Sequence, residues 1–466
     1  MPFIRSRNAA MLMKLESVEG VFDAPDGATG GILVESPQIA FNPQNTETNE
    51  VTGSLDGRGP LVGGMQCQIT GKIYLKGPGE PGVAPEWGKL LKICSWAETV
   101  TLTDITATTI SVTDVDEISD SGSGLAALTV GTPIFVKGFT EAANVNRELV
   151  VTASAAGAIT VSNVDGTPAA LVVEAAGDSV TIRRGIAGAA ATGGTTISAT
   201  AQAPWAATAQ LYRGKPVLLS GNPATPKLSF IADYTAARVA TFTDLFSPAL
   251  DNVTDLGIPA HVFYQPISTG IPSASFEYYM DGVVYRFAGA RGNIDFTLES
   301  GGACSGNFTI SAMFESQGDA AVPTPTYDGT RPPTWRNSAF LINRQAAALS
   351  TFSLGSNGQL TFPDDPNQQE GFSPPQFTGR RVGGSMDPFA TLKATRDLFA
   401  KFRAGLNSIL HGRVQGGAAA PGNRIGVTVP LAFYETFAPG DKEGLSTEAV
   451  GFFAQGQDSG AQIVVW

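Results

Sequence analysis

The chain contains the same arrangement of segments twice. "DGRGPLVGG" (56–64) and "TGRRVGG" (378–384) each follow a strand-like segment and a polar loop rich in acids, Asn, Gln and Pro. Each is followed within about 10–25 residues by an amphipathic helix pattern. Short Gly-rich strings are common, so the order of the segments carries the inference. It predicts two copies of one folding unit in a single chain.

Both copies carry a helix signal. In "PEWGKLLKICSW" (85–96) the apolar side chains fall on one helical face, at Trp87, Leu90, Leu91 and Cys94. In "MDPFATLKATRDLFAKFRAG" (386–405) Asp387 predicts the N-cap, Pro388 the first helical position and Gly405 the C-terminal end. The apolar stripe of this second helix is Leu392, Leu398, Phe399 and Phe402.

The rest of the chain is typical of short strands joined by turns. Gly 54 and Pro 30 occur without a collagen period, and a hydrophobic fraction of 42% is enough for packed cores. Asp281-Gly282 joins two aromatic and β-branched runs as the favoured type I′ hairpin pair. "NIDFTLES" and "GNFTISAMFES" then alternate apolar and polar residues. These patterns predict a mainly β protein.

Changes in composition predict the domain boundaries. The first repeated domain is expected in two parts, 1–98 and 265–319, and the second at 336–466, after a Pro-rich linker at 320–335. Residues 99–187 predict an inserted acidic β module, with 4 basic and 10 acidic residues. Residues 188–264 predict a Gly/Ala/Thr linker and a second inserted β module.

Charge and cysteine content exclude several classes of protein. The net charge of −12 argues against a surface that binds nucleic acid or anionic membrane. Cys67, Cys94 and Cys304 are far apart and odd in number, which favours free or buried thiols. The sequence shows no apolar run of membrane-spanning length and no signal peptide. We therefore expect a chain made in a cytoplasm, soluble and without a membrane anchor.

No motif predicts catalysis, a metal or a cofactor. "GPGEPG" (77–82) matches G-x-G-x-x-G, but its prolines remove amide donors that a phosphate loop needs. His261 and His411 have no second ligand at metal spacing. The acids Asp364–Asp365, Asp114, Asp116 and Glu117 lack calcium-loop spacing and are expected to be solvated. A Ser-His-Asp triad has no marker here. We expect no enzyme and no cofactor.

Four stretches resemble phage tail tube proteins. They are "LMKLESVEGVFDAP" with "GGILVESPQIAFNP", then "APEWGKLLKICSWAETV", then "ASFEYYMDGVVYRFAGARGNIDFTLESGGACSGNFTISAMFESQGDAAVPTPTY". The resemblance covers most of 11–98 and 206–330, 335–466 more loosely, and 99–187 only as an inserted, immunoglobulin-like phage β domain. It implies two β-sandwich or partial-barrel domains, each with one flanking helix, plus inserted all-β modules.

The resemblance also implies a function. Tail tube domains assemble edge to edge into rings, and the rings stack into the hollow tube through which phage DNA passes. A chain with two such domains would form trimeric rings with pseudo-sixfold symmetry, in a long non-contractile tail. The implied partners are further copies of the chain, a tape measure protein in the lumen, and tail terminator and distal tail or baseplate proteins. DNA would pass without specific binding, and the protein would reside in the virion.

Other functions stay open at this point. The inner tube protein of a contractile tail or of a secretion-type injector would share the fold. A virion surface decoration protein or adhesin would explain the β modules but not the doubled helix-bearing unit. A β-rich glycan hydrolase would need a carboxylate pair in a cleft.

The two polar loops, 42–64 and 363–384, hold the candidate contact residues. We expect their charged side chains to pair between rings or subunits, because Arg suits planar, bidentate contacts with carboxylates. The alternative is a set of solvated turn charges. The candidates are Glu47, Glu50, Asp56, Arg58, Asp364, Asp365, Arg380 and Arg381.

Overall fold

The computed structural model describes residues 3–48, 50–51, 53, 56, 59–417 and 419–466. It is 51% strand and 3% helix, which confirms a mainly β protein. Among the described residues, neither helix has the length and apolar character needed to cross a membrane.

The elements fall into two repeats and two inserted modules. The first repeat begins with β1 (Ala9–Leu15), β2 (Gly31–Ile32), β3 (Glu35–Thr46), β4 (Leu61–Tyr74), α1 (Gly88–Ile93) and β5 (Trp96–Thr101). The first module holds β6 (Thr103–Ala107), β7 (Ile110–Asp114), β8 (Glu117–Asp120), β9 (Pro133–Lys137), β10 (Arg147–Ser154), β11 (Ala158–Asn163) and β12 (Val180–Arg184). The second module holds β13 (Ile186–Gly194), β14 (Ser198–Ala201), β15 (Pro216–Ser220), β16 (Leu228–Tyr234), β17 (Val239–Phe242) and β18 (Asp255–Ile258).

The chain then returns to the first repeat and completes the second. The first repeat ends with β19 (His261–Pro266), β20 (Ala274–Met280), β21 (Val283–Glu299) and β22 (Ser305–Asp319). The second repeat holds β23 (Phe340–Ile342), β24 (Gln345–Ala346), β25 (Leu349–Gly355), β26 (Gly358–Thr361), β27 (Gln376–Arg380), β28 (Gly383–Pro388), α2 (Leu398–Ala404), β29 (Ser408–Val414), β30 (Ile425–Lys442), β31 (Leu445–Ala454) and β32 (Gln462–Val465).

The two repeats pair their strands in the same order. In the first repeat the order is β2-β1-β20-β21-β22-β4-β3. In the second it is β24-β23-β29-β30-β31-β28-β25. The short strand β32 pairs with residues 425–428 of β30, on the same side as β31, which pairs with residues 432–442. β31 and β32 together therefore correspond to β22. The predicted duplication is therefore present in the strand pairing.

The β3–β4 hairpin is repeated residue by residue. Adding 315 to each number converts six of its nine pairings into pairings of β25–β28 or β26–β27, as Gln38–Thr70 becomes Ser353–Ser385. The ends of the tip also correspond, because Thr46–Leu61 becomes Thr361–Gln376. Both tip loops, 47–60 and 362–375, are therefore equally long. The string match that suggested the repeat was misaligned, since Arg380 corresponds to Met65 and not to Arg58.

The core follows from the alternation of side chains along these strands. Both repeats and both helices share one hydrophobic core, which includes the fully buried Trp87, Phe296, Phe352 and Phe452. Each inserted module has a core of its own. The predicted first helix is α1, and its stripe is buried as expected.

The second helix is shorter than predicted. Residues 383–388 form β28, and the Asp387 carboxylate accepts hydrogen bonds from the backbone of Ser350 and Thr351. Asp397, not Asp387, is the N-cap of α2, and its side chain accepts from Ala400 N. Gly405 ends the helix with φ 63°, as expected of a left-handed C-cap. The residues predicted for the start of the helix therefore belong to the paired strand β28 instead.

The predicted module boundaries and linkers were wrong by several residues. Residues 99–101 belong to β5, which pairs with β19 of the first repeat, so 261–264 also lie outside the second module. The Gly/Ala/Thr stretch 188–203 is not a linker, because it supplies β13 and β14 of a closed six-stranded barrel. Small residues there fill a tight barrel interior, with Ala189, Ala191 and Ala199 buried.

The Pro-rich linker 320–335 is packed against the first repeat. Thr326 N donates to Ala28 O at 2.8 Å, and the Lys76 ammonium group donates to Asp328 O. The linker also approaches Gly31 so closely that a Cβ there would lie 2.6 Å from Pro325 Cβ and 2.8 Å from Tyr327 Cε1.

A buried ion pair fastens the second module to the second repeat. Arg413 binds Asp244, with 7% and 9% of the side chains exposed. Asp244 Oδ2 also accepts from Ser229 Oγ at 2.6 Å and Thr243 Oγ1 at 3.0 Å, and Arg413 Nε donates to His411 Nε2 at 3.1 Å. Burial, and then the Arg413 charge, lower the pKa of His411 well below its usual range, so it accepts this bond as a neutral ring.

Candidate assembly interface

Eight strands from both repeats form one continuous antiparallel sheet. Its order is β3-β4-β22-β21-β25-β28-β31-β30, with four strands from each repeat in the same sequence. The repeats meet at its centre, where residues 295–299 of β21 pair with residues 351–355 of β25. A second seam pairs β19 with β32. The chain thus displays one complete example of how the repeats join.

The two outer edges of this sheet lack strand partners. Among the described residues, β3 pairs with β4 alone, and residues 433–442 of β30 pair with β31 alone. β3 corresponds to β25, and β30 corresponds to β21. The two free edges are therefore equivalent to the two strands that pair at the centre. An unpaired edge is a template for pairing with another chain.

The ladder pairings fix the register of such a contact. Gly71, Phe308 and Ile294 lie opposite one another across three strands of the first repeat. Met386, Val450 and Phe437 do so in the second. Asp295 therefore corresponds to Ala438, and its partner Gly355 corresponds to Ala40. By this equivalence, Ala438 of one copy would lie opposite Ala40 of another.

One face of the eight-stranded sheet is mostly polar. Its side chains alternate with buried core positions such as Ile69, Ile294 and Phe452. The central positions of this face are Gln38, Ala40, Gln68, Thr70, Asn307, Thr309, Ser311, Asp295, Thr297, Ser353, Ser385, Gly451, Thr436 and Ala438. None of these central positions is Lys or Arg, but the same face also carries Lys72, which lies opposite Asn307, and Arg291, which lies opposite Ser311.

Arg380 is a contact within the chain. Its guanidinium binds Ser95 O and Ser95 Oγ at 3.2 Å, Ile267 O, and Asp458 Oδ1 at 2.7 Å. These groups come from the first repeat and from the loop before β32. Arg380 therefore joins the two repeats, and this geometry does not support the prediction that it pairs with acids of another ring.

Arg381 lies on the polar face and is 65% exposed. It pairs with Glu435 and lies 5.1 Å from the ring centre of Phe453. The sequence analysis gave Arg380 and Arg381 the same predicted role, but adjacent strand residues point to opposite faces of a sheet.

The predicted acids do not form one cluster. Asp365 shapes the second tip, since its carboxylate accepts from Asn367 N at 3.0 Å and Ser373 Oγ at 3.1 Å, and these bonds lower its pKa. Asp364 is exposed and bridges to Phe372 through its backbone. Glu47, Glu50 and Asp56 are exposed in the first tip. Arg58 lies outside the described residues.

The second tip loop rests on the first repeat. Glu370 Oε2 accepts from Met65 N at 2.6 Å, and Arg291 Nη1 donates to Pro375 O at 2.9 Å. Pro374 packs so closely on Gly289 that a Cβ there would lie 2.8 Å from Pro374 Cβ. This loop was predicted to reach an adjacent ring, but it lies laterally against the first repeat of its own chain.

We expect Arg380→Ala to lower the free energy of unfolding by about 1–3 kcal/mol, because it strands buried carbonyl groups and Asp458. Arg381→Ala, the matched control on the exposed face, should cost no more than about 1 kcal/mol. Urea unfolding of the two variants measures the difference. Equal losses would show that Arg380 does not hold the repeats together.

The described residues show no candidate metal centre. No group of three or more His, Cys, Asp or Glu among them is placed to hold a metal ion. Burial raises the pKa of Cys67 and of Cys304 to about 12 and lowers the pKa of His261 to about 3. These side chains are core groups in their neutral forms. The chain matches no protein-family model and no curated protein sequence.

Proposed function

We propose that this chain is a structural virion protein that polymerises as stacked rings into a phage tail tube. The observation that carries the proposal is the eight-stranded sheet. Its two free edges, β3 and β30, are equivalent to the two strands that pair at its centre, β25 and β21. Joining the β30 edge of one copy to the β3 edge of the next reproduces the β21–β25 seam between chains. The sequence stretches that resemble tail tube proteins agree with a structural role.

Three chains per ring is the number that the tail-tube resemblance implies for a duplicated chain. A head-to-tail contact generates a closed ring or an open filament, depending on the rotation that it imposes. If each seam between chains copies the seam within the chain, every ring has twice as many equivalent positions as chains. Trimeric rings then have pseudo-sixfold symmetry, and the closed sheet has no free edge.

The polar face suits the lumen of such a tube. Barrels with many strands enclose a channel instead of a filled core. DNA binds proteins mainly through cations that neutralise its phosphates. Cations on this face such as Lys72 and Arg381 are paired with Glu35 and Glu435, so they are less available to phosphates and DNA would slide past without specific binding. The further partners would be a tape measure protein in the lumen, a tail terminator, and distal tail or baseplate proteins.

Electron microscopy of the purified protein tests this function. We expect concentrated protein to form hollow stacked rings, with three copies of the chain in each ring. Two-dimensional class averages should show six similar inner positions and three sets of outer modules. Rings of six full-length chains would contradict the trimer, and a chain that stays monomeric under all assembly conditions would contradict the tube.

A further inference from the structure

The seam within the chain is held by polar side chains at two places beside the strand pairing. At the first, Arg380 binds Ser95, which follows α1. At the second, the Glu19 carboxylate accepts from both Arg291 and Gln376. The two guanidinium groups are sheltered from water, since Arg291 is only 5% exposed and Arg380 15%, while Glu19 is 45% exposed.

The equivalent residues of the free edges are apolar. Arg380 corresponds to Met65, and Gln376 corresponds to Leu61, by the shared hairpin register. Gln68, Ser311 and Arg291 lie opposite one another, as Gly383, Phe453 and Phe433 do, so Arg291 corresponds to Phe433. Ser95 follows the C-cap of α1, as Leu406 follows the C-cap of α2.

Two of these apolar side chains are exposed to water in the single chain. Leu61 is 63% exposed and Leu406 is 57% exposed, while Met65 and Phe433 are half-buried. The second repeat also has no counterpart of Glu19. That residue lies in the 16–30 connection between β1 and β2, whereas β23 and β24 are joined by Asn343 and Arg344 alone. No counterpart of the Glu19 loop therefore lies between Leu61 and Phe433, the positions equivalent to Gln376 and Arg291.

We infer that a second copy of this chain covers these apolar residues. Leu61 and Met65 of one copy would pack against Phe433 and Leu406 of the next, respectively, and we call this set of contacts the apolar clasp. This inference rests on the proposed ring. The joint within the chain forms once, during folding, and uses directional polar bonds. The joint between chains uses apolar contacts, whose strength depends little on salt because no charge is screened.

Two variants replace an apolar residue of the clasp by the polar residue found at the equivalent position of the seam within the chain. Leu61→Gln introduces the residue found at the equivalent position 376, and Phe433→Arg introduces the residue found at 291. Neither gains a partner, because the Glu19 loop has no counterpart in the second repeat. We expect each variant to raise the critical concentration for assembly at least tenfold. Val173→Gln, at a 64% exposed apolar position of the first module, is the matched control and should assemble as wild type.

Sedimentation and microscopy across a concentration series give the readout, with circular dichroism and melting as the check of folding. If Phe433→Arg perturbs the fold, the exposed Leu61→Gln decides. Wild-type rings with an unchanged critical concentration for Leu61→Gln would overturn the clasp and leave the ring intact. A wild-type chain that never assembles would overturn both.

Discussion

A chain with Ala40→Cys and Ala438→Cys should form closed, disulfide-linked trimers when its assemblies are mildly oxidised. Directly opposed residues in an antiparallel pair have Cα atoms about 4.5–5.5 Å apart, which is within disulfide range. Both alanines are exposed on the same face, and the native cysteines are buried. A non-reducing gel should show a ladder that ends at three chains, and each single variant should run as monomer.

The seam within the chain provides the control for this experiment. Asp295→Cys with Gly355→Cys occupies the equivalent positions, where a Cβ on Gly355 would lie 2.4 Å from Asp295 Oδ1. The two introduced cysteines should form a disulfide within one chain, so this variant should still run as a monomer on the non-reducing gel. Asn42→Cys with Ala438→Cys shifts the register by two residues, to a separation of about 7–8 Å, and should cross-link poorly. Equal yields from the shifted and unshifted pairs would refute the register.

The largest loss of stability is expected from Asp244→Ala. The substitution leaves the Arg413 guanidinium buried without its carboxylate, and breaking a buried pair in this way costs about 3–5 kcal/mol. It also removes the acceptor of Ser229 and Thr243. Since a chain of several domains need not unfold in one step, the first transition in urea or by calorimetry should shift, reporting release of the second module.

Two further variants separate the ion pair from simple packing. Arg413→Met combined with Asp244→Asn removes the stranded charge but keeps an acceptor for Ser229 and Thr243, so it should recover most of the loss. Glu435→Ala breaks the exposed pair with Arg381 and should change stability by about 1 kcal/mol or less. A double variant as unstable as Asp244→Ala would mean that the ion pair is not the cause.

Local patterns were enough to predict the β class, α1 and the duplication. Alternation and the Asp281-Gly282 pair mark strands directly, and the stripe at Trp87, Leu90 and Leu91 is buried as a helix face should be. The second helix was misjudged because Asp387 can serve a strand as well as a helix. Its carboxylate caps two backbone amides of β25, a partner nearly forty residues away that local propensity does not reveal.

The contact site was harder to predict, because charge is visible in a sequence and strand pairing is not. Arg380 and Arg381 were grouped as neighbours, although one is sheltered between the repeats and the other is exposed. Ala40 and Ala438 carried no signal in the sequence, since their proposed pairing rests only on the equivalence of the strands. Leu61 and Phe433 became informative once the equivalence with Gln376 and Arg291 was known.

Fusing two repeats into one chain changes how a ring can form. Each association between separate molecules costs translational and rotational freedom, estimated at about 4–15 kcal/mol. A covalently linked repeat meets its neighbour at an effective concentration that reaches the millimolar range for short linkers. The ordered 320–335 segment tightens this link, because it is packed along the first repeat. In the proposed trimeric ring, half of the seams would therefore form within single chains during folding. The three seams between chains would need only two associations and one ring closure, which would favour whole rings over fragments at low protein concentration.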